Sequence, residues 1–353
     1  IEALFTIDEE TGMTGALNLK PNWLTGRIML NMDTEEDNEL TIGCAGGVDT
    51  SAYWTYEPQS VGVAMNGFQL IVRGLKGGHS GMDIDKGLAN ANKLLVRLLY
   101  GVTADYGLRI NSVDGGGLRN AIPREAKAVL AVADSEAFRQ HIEVLTEQIK
   151  DEFKVTEPNL TVELVEVDVP QNVLPKELQV NLLNSLYALP NGVFRMSPDI
   201  AGLVETSSNL ARVLVENGKI EVLTLQRSSS ETSKKDIENA IRAAFELGGA
   251  EVEHSGAYPG WQPVPSAPII QVMADLYRKM FNDEPDINAC HAGLECGIIG
   301  RNYPKMQMIS YGPTIRGAHS PDERVNIASV QKFWNYTIET LKNIPTIAEM
   351  DAQ

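Results

Sequence analysis

Residues 209–227, NLARVLVENGKIEVLTLQR, hold two β-rich runs, Asn209 to Glu216 and Lys219 to Arg227, joined by Asn217-Gly218. That pair suits the positive φ angles of a type I′ turn, so the spacing predicts a hairpin. Upstream of it, Phe68, Leu70 and Val72 alternate as in a strand, and Leu88, Ala91, Leu94, Leu95, Leu98 and Leu99 form a helical stripe. Arg109 to Val113 and Ala126 to Val132 read as strands, Phe138 to Phe153 as a second amphipathic helix, and Leu160 to Val167 as a strand. The order βαββαβ is that of a ferredoxin-like unit. A helix near Leu178 to Leu189, the hairpin, a helix over Ile237 to Phe245 and a strand at Glu251 to His254 then give αββαβ, read as a half-repeat of the first unit.

The flanks have another texture. Ala3 to Ile7, Arg27 to Met32 and Leu40 to Cys44 read as strands, with a helix over Gly12 to Leu19; near the other end, Ile269 to Met280 forms a helical face and Met306 to Ser310 a strand. Strands alternating with helices predict an α/β domain with a parallel or mixed sheet. The last helix, lined by Val330, Phe333, Trp334, Thr337 and Leu341, is expected to start at a capping box of Ser320, Pro321 and Glu323. The expected organisation is therefore an α/β catalytic domain in two parts, residues 1–64 and 257–353, interrupted by an α+β lid domain over residues 65–256. The opening Ile1 to Ile7, a buried-strand pattern with no initiator Met, reads as cut.

Composition narrows the class of function. Lys plus Arg number 30 against 47 Asp plus Glu, a net charge of -17, which is the wrong sign for a phosphate backbone and excludes nucleic acid as a partner. No apolar run approaches the roughly 20 residues that span a bilayer, so no membrane is expected. Three cysteines, Cys44, Cys290 and Cys296, give an odd count without CxxC spacing, which argues for a reducing, cytoplasmic setting. Neither Gly43, Gly46 and Gly47 nor Gly74, Gly77, Gly78 and Gly81 has the GxGxxG or GKS/T pattern of a nucleotide site.

Chemistry is expected where strands end, since ligands in open α/β sheets bind beyond the carboxyl ends of strands. Ile7 runs into Asp8-Glu9-Glu10, Met32 into Asp33, and Ser310 into a loop bearing His319. Carboxylates and an imidazole gathered there can form a zinc or manganese site. Successive residues point apart, so one of Glu9 and Glu10 can bind metal while the other faces the metal-bound water as a base. His291 and Glu295 imitate two ligands on a helix face, but Gly293 between them weakens a helix, and a supporting or packing role is the better reading.

FTIDEETGMTGA, NMDTEE, GCAGG, LKGGHSG, ANKLL, LRNAIPREA, NGV, GAYPGWQP, HAGLECG and GPTIRGAHSPDE follow one another along the chain. In this order they resemble the bacterial aminoacyl-histidine (Xaa-His) dipeptidases, of the dinuclear-zinc peptidase clan that includes carnosinase, peptidase T and carboxypeptidase G. The resemblance implies a zinc-peptidase-like catalytic domain, its N-terminal portion absent here, and hydrolysis of unblocked dipeptides of the Xaa-His type. It implies two zinc ions per complete site, with cobalt or manganese as alternatives, and a homodimer as a candidate assembly. By residue, Glu9 matches the general base, Glu10 and His319 the ligands of one metal, and Asp33 a ligand of the second. His79 matches the lid histidine that polarises the scissile carbonyl; Asn120, Arg227 and Gly293 match positions that hold substrate. An Arg fork suits a C-terminal carboxylate. The family's HxD and GADNG-like segments, which supply a further histidine ligand and the bridging aspartate, do not occur in the sequence, so the 353-residue chain alone is expected to be inactive or nearly so. The alternatives are a related peptidase or N-acyl-amino-acid hydrolase of the clan, and a non-catalytic interaction module built on the lid.

Overall fold

A computed structural model describes residues 1–100, 102, 106–318 and 322–345, with Glu10 and Thr11 described in their backbone alone. Two sheets organise these residues. The larger is antiparallel, and eight of its nine strands run in the order Thr161–Val167, Asn66–Arg73, Ala126–Val132, Arg109–Gly116, Val204–Glu216, Lys219–Ser228, Gly46–Thr55 and Glu251–Tyr258. Gly192–Met196 adds to Val204–Glu216 near its start. The first four strands, with the helices Ala91–Tyr100 and Ser135–Phe153, are the βαββαβ unit expected from the sequence, its strands lying fourth, first, third, second.

The second unit is complete, not a half-repeat. Gly46–Thr55 is its first strand, followed much later by the helix Lys176–Ala188, the hairpin, the helix Glu231–Leu247 and Glu251–Tyr258, in the mirror-image order. The two units join strand to strand, Arg212↔Gly116 through Val215↔Val113, into one continuous sheet. The larger sheet thus includes residues upstream of position 65. All four helices contribute to a single apolar core with Phe68, Leu70, Leu130, Val213 and Val222 from the strands. The hairpin turn has Asn217 at φ 49° and Gly218 at φ 78°, the left-handed pair that type I′ geometry requires.

The smaller sheet is mixed, ordered Ile28–Asn31, Gln307–Ser310, Glu39–Cys44, Asp286–Cys290. Its outer pairs are parallel, and Ser310 meets Thr41 in the one antiparallel step between them. The helices Pro268–Phe281 and Ile327–Asn343 share its core through Met273, Tyr277 and Tyr336. Cys44, Trp261 and Cys296, the last on the helix Glu295–Asn302, form a separate apolar cluster.

Three local expectations need correction. Ala3 to Ile7 is not a strand: among the described residues no strand lies alongside it, and Phe5 is 91% and Ile7 73% exposed. Alternation makes a strand only where a neighbour supplies the ladder. The helix over Gly12 to Leu19 is two single turns, Glu9–Gly12 and Thr14–Leu17, broken by Met13 at φ 52°. The final helix starts at Asn326, whose side chain accepts from Ser329 N at 3.1 Å, because Arg324–Val325 is extended against Ile315–Arg316 and the helix cannot begin earlier. Ser320 and Pro321 of the expected capping box lie outside the described residues.

Candidate active site at the meeting of the two sheets

Asn31 and Ser310 are paired at the carboxyl ends of two parallel strands, so Asp33 and the segment leading toward His319 leave the same edge of the smaller sheet. Below them Thr34 donates to Ser310 Oγ at 2.9 Å and Ser310 to Asn31 Oδ1 at 2.7 Å, a buried polar brace that fixes the start of the Asp33 loop. Asp33 is exposed, yet close enough to act electrostatically on Cys290 and Cys296. Burial pushes the Cys290 thiol up to about 11, with the Asp33 carboxylate adding to the effect. Glu9, half-buried, opens the helical turn Glu9–Gly12. That turn is tied to the segment after Cys290 on both sides: Thr6 Oγ1 donates to Glu295 Oε2 at 2.8 Å, and Met13 Cε lies 3.3 Å from where a Cβ on Gly293 would stand.

From a two-stranded ribbon beside the larger sheet, His79 approaches the same segment. It sits in the two-residue strand Gly78–His79, paired with Ala121–Ile122. Its Nδ1 accepts the backbone N–H groups of Gly81 at 3.2 Å and Met82 at 3.1 Å, so the neutral ring carries its proton on Nε2. Gly81 must be glycine: a Cβ there would stand 3.1 Å from His79 Cε1 and closer still to the carbonyl of His291. Asn120 is exposed, and its carbonyl accepts from Ser80 N at 2.8 Å, so it lies beside His79. Asn209, 1% exposed, donates to the carbonyls of Arg119 and Ala121, at 3.0 and 2.8 Å, and so grips the chain on either side of Asn120.

Arg227 and His291 are both 5% exposed. Arg227 Nη1 donates to the Tyr258 hydroxyl at 2.9 Å, while its buried Nε has no hydrogen-bond partner among the described residues. His291 Nε2 is 2.7 Å from Ser207 Oγ; burial, with the Arg227 charge added, pushes its pKa down to about 3. The imidazole is therefore neutral beside the guanidinium.

The structure thus gathers Asp33, Gly293, His79, Asn120 and Arg227 around the turn after Cys290, with the Glu9 segment against it. The Glu10 side chain and His319 lie outside the described residues. Among the described residues no three of His, Cys, Asp or Glu come together as a metal cage, so Asp33 is the candidate ligand that can be placed. Sequence reasoning missed Tyr258, Ser207 and Asn209. Tyr258 lay in view within GAYPGWQP, but its partner is visible only once the strands are registered.

Similarity to known proteins extends over most of the chain. The family model described as "Peptidase dimerisation domain" matches residues 70–180, within the first βαββαβ unit and the segment after it. The chain is 42% identical over 347 residues to the cytosol non-specific dipeptidase of Escherichia coli (strain K12), covering 98% of this chain and 72% of that protein. It superimposes on the crystal structure of the aminoacylhistidine dipeptidase from Vibrio alginolyticus with a TM-score of 0.93 and 41% identity, covering 96% of this chain and 70% of that one. On sequence and on fold alike, the chain belongs to the family of these dipeptidases.

Proposed function

We propose that the protein hydrolyses the peptide bond of short, unblocked dipeptides, including those of the Xaa-His type, in the cytoplasm. Its relatives' names, a cytosol dipeptidase and an aminoacylhistidine dipeptidase, support the reaction class and the compartment. The observation that carries the reading is Arg227, a guanidinium withdrawn from solvent whose Nε has no partner among the described residues, and which, like His79, lies within electrostatic reach of His291. A buried cation with donor capacity to spare is suited to an anion, and the anion that every unblocked dipeptide carries is its C-terminal carboxylate.

The roles follow from each group's chemistry. Arg227 takes the carboxylate and Asn120 holds the peptide near His79. With its Nδ1 occupied by backbone N–H groups, His79 presents Nε2–H to the scissile carbonyl oxygen, where it stabilises the charge that develops on attack. Glu9 accepts the proton of the attacking water. Gly293 leaves room beside the turn. Asp33, Glu10 and His319 are the residues that would hold divalent metal, two zinc ions with cobalt or manganese as alternatives. Bound there, the metal supplies a Lewis acid that makes water a nucleophile near neutral pH. A homodimer is the assembly we infer from the matched domain. The finer reading, that residues 1–353 alone turn over little, rests on the absence of HxD and GADNG-like segments from the sequence, and an assay of the purified chain tests it.

The division of roles is tested by measuring metal content and turnover together. In a longer chain that also carries the HxD and GADNG-like segments, Glu9→Gln should lose turnover and keep its metal, while His319→Ala should lose metal first. Equal loss of metal in both would refute the assignment. A substrate panel tests the class: preference for N-acylated amino acids over free dipeptides would move the reading to an N-acyl-amino-acid hydrolase.

A further inference from the structure

We propose that Tyr258 is a positioning residue for Arg227 and that Gly47 is glycine so that the two can meet. This rests on the reading of Arg227 as the carboxylate site. Arg227 pairs with Gly47 on one side of the strand Gly46–Thr55, and Tyr258 pairs with Gly47 on the other. Residues directly opposite in a ladder project from the same face. Arg227 and Tyr258 are therefore second neighbours, about 10 Å apart at two strand spacings, with the middle position between them. Any side chain at 47 would fill that gap: a Cβ there would stand 2.7 Å from Tyr258 Cε1, Cζ and Oη. With glycine in place, the phenol crosses the middle strand and its hydroxyl accepts from Arg227 Nη1 at 2.9 Å.

The ring is held from its other edge as well. A Cβ on Gly293 would lie 3.1 Å from Tyr258 Cε2, so the ring is lodged between the strand and the turn that follows His291. Lys234 Nζ donates to the Tyr258 carbonyl at 2.6 Å and fixes its backbone. The consequence for Arg227 is directional. Nη1 is committed to Tyr258, which leaves the edge formed by Nε and Nη2, a two-donor fork that matches a carboxylate. A competitor stands nearby. Asp49, two residues beyond Gly47 and so on the same face, lies within electrostatic reach of Arg227 and pairs with Arg119 at 3.4 Å. Tyr258 keeps the guanidinium turned toward substrate and away from Asp49.

The test is calorimetric binding of a non-hydrolysable, reduced-amide Xaa-His analogue and of its C-terminal amide, which lacks the carboxylate. The acid should bind the wild-type protein at least about 30-fold more tightly than the amide, and Arg227→Gln should abolish that preference. Tyr258→Phe should cut it by about tenfold while leaving amide affinity unchanged, as losing one hydrogen bond to a charged group implies. Gly47→Ala, which displaces the ring, should behave in the same way. Adding Asp49→Asn to Tyr258→Phe should restore at least half of the loss, a rescue that a purely structural tyrosine would not give. If Arg227→Gln abolishes the preference but Tyr258→Phe and Gly47→Ala both retain it, or if the Asp49 change rescues nothing, the Tyr258 proposal is overturned and the Arg227 reading stands. If the wild-type protein does not distinguish acid from amide, the Arg227 reading falls and this proposal with it.

Discussion

Glu157→Gln should loosen the loop that carries His79 while leaving the rest of the fold in place. Glu157 is 2% exposed, and both its oxygens are spent on backbone: Oε2 accepts Lys76 N at 2.8 Å and Oε1 accepts Ala89 N at 3.0 Å. Those two amides are the ends of the segment that contains His79, so one carboxylate closes the loop like a clasp. Glutamine keeps the shape and one acceptor but turns an NH2 group toward the other amide. One charge-assisted hydrogen bond is lost and the remaining one loses its charge, a cost of about 2–3 kcal/mol. If that energy holds the loop closed, exchange of the Lys76 and Ala89 amides should accelerate by about 30- to 150-fold. Hydrogen exchange read by mass spectrometry on fragments covering 76–89 measures this, with the hairpin Val204–Glu216 and Lys219–Ser228 as control. Unchanged exchange in the loop would refute the clasp, as would an equal acceleration in the hairpin, which would mean global destabilisation.

Two further outcomes follow from neighbouring groups. Asn209→Ala removes the donor that grips the carbonyls of Arg119 and Ala121, so two part-buried acceptors lose their partner; stability should fall by about 1–3 kcal/mol in denaturant titration, with a higher KM for dipeptide as Asn120 loses its support. His291 has its folded pKa pushed down to about 3 against 6.5 for an ordinary histidine. The unfolded chain takes up this proton first, so the contribution is fully present above pH 6.5 and is lost as pH falls from 6.5 toward 3, amounting to about 2 kcal/mol by pH 5. Denaturation midpoints across that window should flatten in His291→Gln, and an unchanged slope would contradict the burial of a neutral ring.

What could be read from the sequence was local. Asn217-Gly218 between two alternating runs dictates its own turn, and the stripes of the helices Ser135–Phe153 and Glu231–Leu247 dictate which faces are buried, because both signals lie within a few residues of each other. The first strand of the second unit, Gly46–Thr55, was missed because its partners Lys219–Ser228 and Glu251–Tyr258 come late in the chain, and nothing near Gly46 declares them. Ala3 to Ile7 shows the opposite error, a strand-like alternation without a ladder beside it among the described residues. At the candidate site, motif resemblance pointed to Arg227, His79 and Asn120, but not to the reason Arg227 is held as it is. That reason is a register, Arg227 and Tyr258 facing one another across Gly47, and register appears only when the sheet is assembled. His291 was placed in a supporting role from the weak helix signal at Gly293, and its bond to Ser207 agrees with that role.

In the proposed function, the Arg227 pocket reads the carboxylate of an unblocked dipeptide while His79 faces its peptide bond. The most direct test is a crystal structure of the protein with a phosphinic Xaa-His analogue bound. The ligand carboxylate should lie on the Nε–Nη2 edge of Arg227, with Tyr258 still on Nη1 and a phosphinyl oxygen within hydrogen-bond distance of His79 Nε2. A ligand bound with its carboxylate away from Arg227, or with its phosphinyl group remote from His79, would contradict that function.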